Sequence, residues 1–308
     1  MDTNSFLDSL SGFKQEIPSE IAIFELRRSS VDDLQRRLRK LLKTSGDACE
    51  RDFDRGEWTK YEDRTLVRLP QGATAVVYHA SGAVKLATGL ASMDLLFKEQ
   101  ESKSALTARV TDACRTLGFH DNLTRGEALA FERLWQIKAG AADRSGKTVE
   151  PVLCRAVGAF RHSIDGIAVL GPASVAVQVA AGGALDTVSM LMRSPATEVF
   201  EKAKVLPAER ALRHIGQQLT ARFGQAKGEV KLESREGLRF GYLSLPKRKT
   251  QRLLAPVFMA AIDVTHELER QAFVVAVPAT EKGYLPLEAP GAESLTGQSS
   301  KLSSRRCS

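Results

Sequence analysis

Val175, Val177 and Val179 alternate strictly with Ala176 and Gln178, and Gly182-Gly183 then leads into Leu185, Val188 and Leu191. A period of two places one set of side chains on each face of a strand. Apolar residues on one face and small or polar ones on the other mark an antiparallel sheet covered on one side. Just upstream, Ile164-Asp165-Gly166-Ile167 joins two β-rich runs. Asp-Gly suits a two-residue type I′ hairpin, whose central residues both need positive φ. Ser81-Gly82 stands likewise between Ala75–Tyr78 and Ala83–Leu86. This part of the chain therefore reads as tight antiparallel hairpins.

Helical patterns interrupt these runs three times. Ser30 precedes Val31-Asp32-Asp33, a capping-box-like start. Val31, Leu34, Leu38, Leu41 and Leu42 follow at helical spacing, with Arg36, Arg37, Arg39 and Lys40 between them. A second helix is expected from Ser104 to Leu117, on Leu106, Val110, Ala113, Cys114 and Leu117, with Gly118 as its stop. A third starts near Pro207, uses Ala211, Leu212, Ile215, Leu219 and Phe223, and ends at Gly224. The order of a helix followed by several strands thus recurs. It predicts an α+β protein of repeated helix-plus-antiparallel-sheet units, each a two-layer body. The expected division is a flexible arm over 1–17, units over 18–100, 101–200 and 201–288, and a disordered tail over 289–308.

Hydrophobic residues make up 43% and charged residues 26% of the chain, which places it among globular proteins. Aromatics are only 6%, so the core must be built from Val, Leu, Ala and Ile. The net charge of +7 is compatible with an anionic partner without requiring one. Cys49, Cys114, Cys154 and Cys307 form no Cys-x-x-Cys pair and read as reduced thiols, with Cys114 and Cys154 buried. No apolar run is long enough to span a bilayer. Met1 to Glu20 lacks the apolar centre of a leader, so the cytoplasm is the expected location; a longer N terminus would place the protein outside it.

The segment Arg155-Ala156-Val157-Gly158-Ala159-Phe160-Arg161-His162-Ser163-Ile164-Asp165-Gly166-Ile167-Ala168-Val169-Leu170-Gly171 resembles the paired-strand pattern of PepSY and related propeptide-like domains. Val175–Val179 with Gly183 and Val188 is similar to their next hairpin. Gly241-Tyr242 and Gln251–Phe258 resemble the final strands of larger proteins containing such modules. The resemblance implies cystatin-like helix-on-sheet units of secreted or membrane-tethered proteins and protease propeptides, which bind or restrain a partner without doing chemistry. A protein or peptide, with a peptidase as one candidate, is then the expected partner. It would be held as an added strand around Ile164, Asp165, Gly166, Ile167, Val169 and Gly171 and along Val175, Val177 and Val179.

Motifs for catalysis are missing from the sequence. His79, His120, His162, His214 and His266 show no metal-ligand spacing, and neither a G-x-S-x-G elbow nor a phosphate loop occurs. No cofactor or metal is expected, and the chain reads as a non-enzymatic binding or regulatory protein. Two basic clusters carry an alternative, a binder of nucleic acid or another polyanion. They are Arg36, Arg37, Arg39 and Lys40 on the first helix, and Lys247, Arg248, Lys249 and Arg252 in a loop between strands. Neither is interleaved with the aromatics used to stack bases. A hydrolase with an unfamiliar site is the third reading.

Overall fold

The computed structural model describes residues 3–10, 12, 13, 15–27, 30–44, 52–91, 93–99, 101–140, 146, 148, 150–226, 228–266 and 269–287. The segment expected as a disordered tail, Cys49 and Cys307 lie outside the described residues. In chain order the principal elements are α1 (Thr3–Leu10), β1 (Glu20–Leu26), α2 (Val31–Thr44), β2 (Glu57–Lys60), β3 (Arg64–Arg68), β4 (Thr74–Tyr78) and β5 (Val84–Ala87). Then follow α3 (Lys103–Thr116), β6 (Glu127–Ala139), β7 (Val152–Ile164), β8 (Ile167–Leu170), β9 (Val175–Val179), β10 (Leu185–Met190) and β11 (Pro195–Lys204). The last are α4 (Ala208–Phe223), β12 (Val230–Leu243), β13 (Leu253–Leu254), β14 (Pro256–His266) and β15 (Glu269–Pro278).

The expected repeat of helix-plus-antiparallel-sheet units is not what the chain forms. Twelve strands share one mixed sheet, ordered β15-β14-β12-β8-β7-β9-β10-β5-β4-β3-β2, with β6 paired to β7; β11-β1-β13 form a second, three-stranded sheet. Strand β10 pairs antiparallel with β5, from Thr187↔Ala87 to Met190↔Val84, which fuses the strands of the expected first and second units. Strand β12 runs parallel to β8 at Tyr242↔Val169 and Leu243↔Leu170. These long-range pairings override the local helix-then-hairpin rhythm. By contact the chain divides into two compact units: Glu20–Ala203 with Phe240–Pro256, and Met1–Ser19 with Lys204–Arg239 and Val257–Ser308.

In the first of these units, α2 and α3 contribute to a single core. Leu34, Leu38 and Leu41 of α2 are buried in one cluster with Leu106, Val110 and Cys114 of α3 and with Val77, Leu86, Val177 and Val188 from the sheet. Each such side chain contributes about 1.5–3 kcal/mol by leaving water. Local chemistry sets the helix starts. The Ser30 hydroxyl accepts from Asp33 N–H at 3.1 Å while Asp33 Oδ2 accepts from Ser30 N–H at 3.1 Å, so the capping box forms. Ser102 caps α3 by accepting from Ala105 N–H at 3.1 Å. Gly158 on β7 lets α3 approach, since a Cβ there would stand 2.5 Å from Val110 Cγ2.

The second unit packs α4 through Ala211, Ile215, Leu219 and Phe223, buried at four-residue intervals. Phe223 meets Phe273 of β15 edge-to-face at 5.4 Å, and the Arg222 guanidinium lies 4.4 Å from the same ring. Asp263 on β14 is buried and receives both Arg235, at 2.7 Å, and Arg270, at 2.8 Å. Within the segment expected as a loose arm, Thr3–Leu10 is helical, and Phe6 and Leu10 are buried.

Candidate functional site

The Asp165-Gly166 turn has φ of 49° and 79°, the two positive values a type I′ hairpin needs. Its tip is exposed, but Ile164 and Val169 are buried, and Val175, Val177 and Val179 have no exposed surface. Gly171 sits at φ 112°, where a Cβ would press to 2.7 Å from the Ser244 carbonyl oxygen. Strand β8 is paired on both sides, by β7 and β12, and β9 lies between β7 and β10. Apart from the exposed Asp165-Gly166 tip and the half-buried Ile167 and Gly171, the residues expected to hold a partner strand are thus buried within the sheet. Both edges of β8 and β9 are already occupied.

Strand β6 has an open edge, as do β15 and β2 at the two ends of the strand order. Among the described residues β6 pairs only with β7, over a register from Glu127↔Ile164 to Ala139↔Val152. Bulges fall between Phe131 and Arg133 and between Ile137 and Lys138, leaving Arg133–Ile137 as a regular stretch. Nine of the thirteen β6 residues are exposed, and this decides that neither face of the strand is well covered. Trp135, 45% exposed, and Ile137, 44% exposed, stand two residues apart and therefore on one face. The Arg133 guanidinium lies 5.8 Å from the Trp135 ring centre. Phe131 meets Phe160 edge-to-face at 5.8 Å. Nothing in the sequence marks the place of this strand at an edge.

At the start of β6, Glu127 Oε1 lies 2.8 Å from His162 Nε2, with both side chains almost wholly buried. Burial pushes the Glu127 carboxyl up, but hydrogen bonds from His162 and from the Thr124 hydroxyl and N–H outweigh it and leave the group below its ordinary value. His162 Nδ1 is buried without a partner, and the Ser174 hydroxyl accepts from the His162 backbone N–H at 3.0 Å. Although a serine, a histidine and a carboxylate come together here, the hydroxyl is engaged with backbone and the imidazole with Glu127. As it stands the cluster clamps β6 to β7 beside the Asp165 turn.

The basic clusters are largely neutralised. Arg36 pairs with Asp33, Arg39 with Asp54 at 2.7 Å, Lys40 with Asp121 at 3.6 Å, Arg248 with Asp63 at 3.2 Å and Arg252 with Glu25 at 3.2 Å. Lys247 lies over the Tyr78 ring at 4.6 Å. Lys249 is exposed in the same loop and gives its carbonyl oxygen to Arg193. Arg37 is different: it lines a cleft of about 230 Å³ together with Arg27, Arg193, His79 and the Thr250-Gln251 end of the basic loop. Sequence reasoning passed over Arg27 and Arg193. The one available signal was the placement of Arg193 directly after the apolar Leu191-Met192.

Among the described residues no group of three His, Cys, Asp or Glu side chains could hold a metal ion, and no helix is long and apolar enough to cross a membrane. No protein-family model and no curated protein matches the chain.

Proposed function

We propose that the protein is a non-enzymatic binding protein that captures an extended segment of a partner along β6. The observation that carries this reading is a thirteen-residue strand that, among the described residues, is paired on one side only, with Trp135 and Ile137 exposed on one face. An open strand edge presents unpaired N–H and C=O groups and so templates a further strand. Main-chain hydrogen bonds would supply affinity, and apolar residues at alternate positions of the partner would meet Trp135 and Ile137. The two bulges confine regular pairing to Arg133–Ile137, which suits a short segment rather than a long one. The likeness of 155–171 to PepSY and propeptide-like sequences supports a peptidase as the source of that segment, restrained through the contact.

Amide hydrogen exchange tests the reading directly. With a co-encoded peptidase or an extended peptide derived from it, exchange along Arg133–Ile137 should slow. Replacing Trp135 with Ala should weaken capture by about tenfold, or 1.4 kcal/mol. A bound partner that leaves exchange of β6 unchanged would overturn the proposal.

A further inference from the structure

Three arginines, Arg27, Arg37 and Arg193, line the cleft beside α2, and the residues that line it include no Asp or Glu. Among the described residues neither Arg27 nor Arg37 forms a close ion pair, in contrast to their neighbours Arg36, Arg39 and Lys40, although Asp33 acts on Arg37 at longer range. Arg193 is 6% exposed. Its Nη2 donates to the carbonyl oxygens of Lys249 at 2.9 Å and Leu245 at 3.2 Å, while its Nε has no hydrogen-bond partner. Carbonyl oxygens offer partial charges only. Burial accordingly pushes the Arg193 guanidinium down to about 10, which leaves it cationic at neutral pH. A buried cation without a counter-charge is costly, and so is the gathering of three like charges. His79 is not free to share the task, because its two ring nitrogens face the Glu62 carbonyl at 3.1 Å and the Thr65 hydroxyl at 2.8 Å.

A second, smaller cavity of about 70 Å³ adjoins the first and shares Arg37, Met192 and Ser194 with it. Its remaining lining is mostly apolar, including Leu41, Val84, Leu117, Phe119 and Met190. We propose that the paired cavities bind a phosphate monoester with a small apolar substituent, the phosphate among Arg27, Arg37 and Arg193 and the substituent toward Phe119 and Met190. Guanidinium groups hold tetrahedral oxyanions through paired N–H donors, and several of them together match a dianion. The site is separate from β6 and does not depend on what that strand captures.

Calorimetric titration of the full chain with phenyl phosphate and with inorganic phosphate tests the assignment. Both should bind saturably at low salt, phenyl phosphate about tenfold more tightly, and both should weaken as salt is raised. Arg27→Gln and Arg37→Gln alter exposed side chains and leave the fold intact, and together they should reduce phenyl phosphate affinity by at least about tenfold. Arg193→Lys keeps the charge but loses the planar donor set, and should weaken binding in the same direction. The proposal is overturned by the absence of saturable binding, by equal affinity for the two probes, or by a double variant that binds as the parent does.

Discussion

Arg155 Nε donates to Asp186 Oδ2 at 2.6 Å, and the rest of the same guanidinium donates to the carbonyl oxygens of Ala91 at 2.7 Å, Cys154 at 2.8 Å and Asp94 at 2.9 Å. Arg155 is buried, and Asp186 takes a further bond from Gln178 at 2.7 Å. One side chain therefore ties β7 to β10 and to the 91–94 loop. Replacing it with Met removes the charge and five donors, leaving Asp186 buried with an amide as its partner. Breaking a buried pair from one side costs about 3–5 kcal/mol. Arg155→Met should lower the urea midpoint by the matching amount and expose 88–97 to proteolysis first. Lys in its place should recover little, because an ammonium cannot reach carboxylate and loop carbonyls together.

The Glu127–His162 contact predicts how stability responds to acid. The carboxyl of Glu127 sits below its ordinary value in the folded state, since the hydrogen bonds from His162 and Thr124 outweigh burial. A depressed carboxylate stabilises the fold fully above its unfolded value of about 4.3, and the contribution is lost as pH falls through the lower folded value. Thermal unfolding followed from neutral pH downward should show stability falling in that acid window. Glu127→Gln should flatten the part of the fall that belongs to this residue. Glu127→Ala should cost about 2 kcal/mol at neutral pH by leaving the buried imidazole unpaired.

Features encoded by a few adjacent residues were readable. Asp165-Gly166 and Ser81-Gly82 specify turns because positive φ is a local demand, and Ser30 with Asp33 specifies a helix start for a similar reason. Pairings between distant strands carry no such signal. The alternation of Val175, Val177 and Val179 reports that one face is buried, and it reads the same whether the strand is central or at an edge. It does not name β7 and β10 as neighbours, nor does Thr187 announce Ala87 as its partner. Arg193 was missed for the same cause. The carbonyl oxygens that hold it belong to Leu245 and Lys249, more than fifty residues away, and no spacing rule links them.

Cys114 and Cys154 are both buried and free. Cys114 has no exposed surface, and burial pushes its thiol up to about 12, so almost none is thiolate at neutral pH. Peptide mapping after maleimide treatment of the native protein should find Cys114 unmodified. Full modification should appear only in denaturant, at a rate set by unfolding. Modification of Cys114 at the rate of an exposed thiol would show that α3 does not stay seated on the sheet.

Gly158 and Val110 give the sharpest test of how α3 lies on β7. A Cβ on Gly158 would stand 2.5 Å from Val110 Cγ2 and 2.7 Å from Val110 Cβ, closer than carbon atoms approach without displacement. Both positions belong to packed surroundings, since Val110 has no exposed surface and Phe160 lies beside the glycine. Gly158→Ala should therefore destabilise the fold by about 1–3 kcal/mol through overpacking. Val110→Ala alone should cost about 1–3 kcal/mol by removing buried methyl groups. Combined, the two changes exchange volume across a single contact, so the double variant should be more stable than the sum of the single losses predicts. The cycle, measured by chemical denaturation, should give a favourable coupling of about 1 kcal/mol. Simple additivity would mean that α3 and β7 do not meet at this glycine.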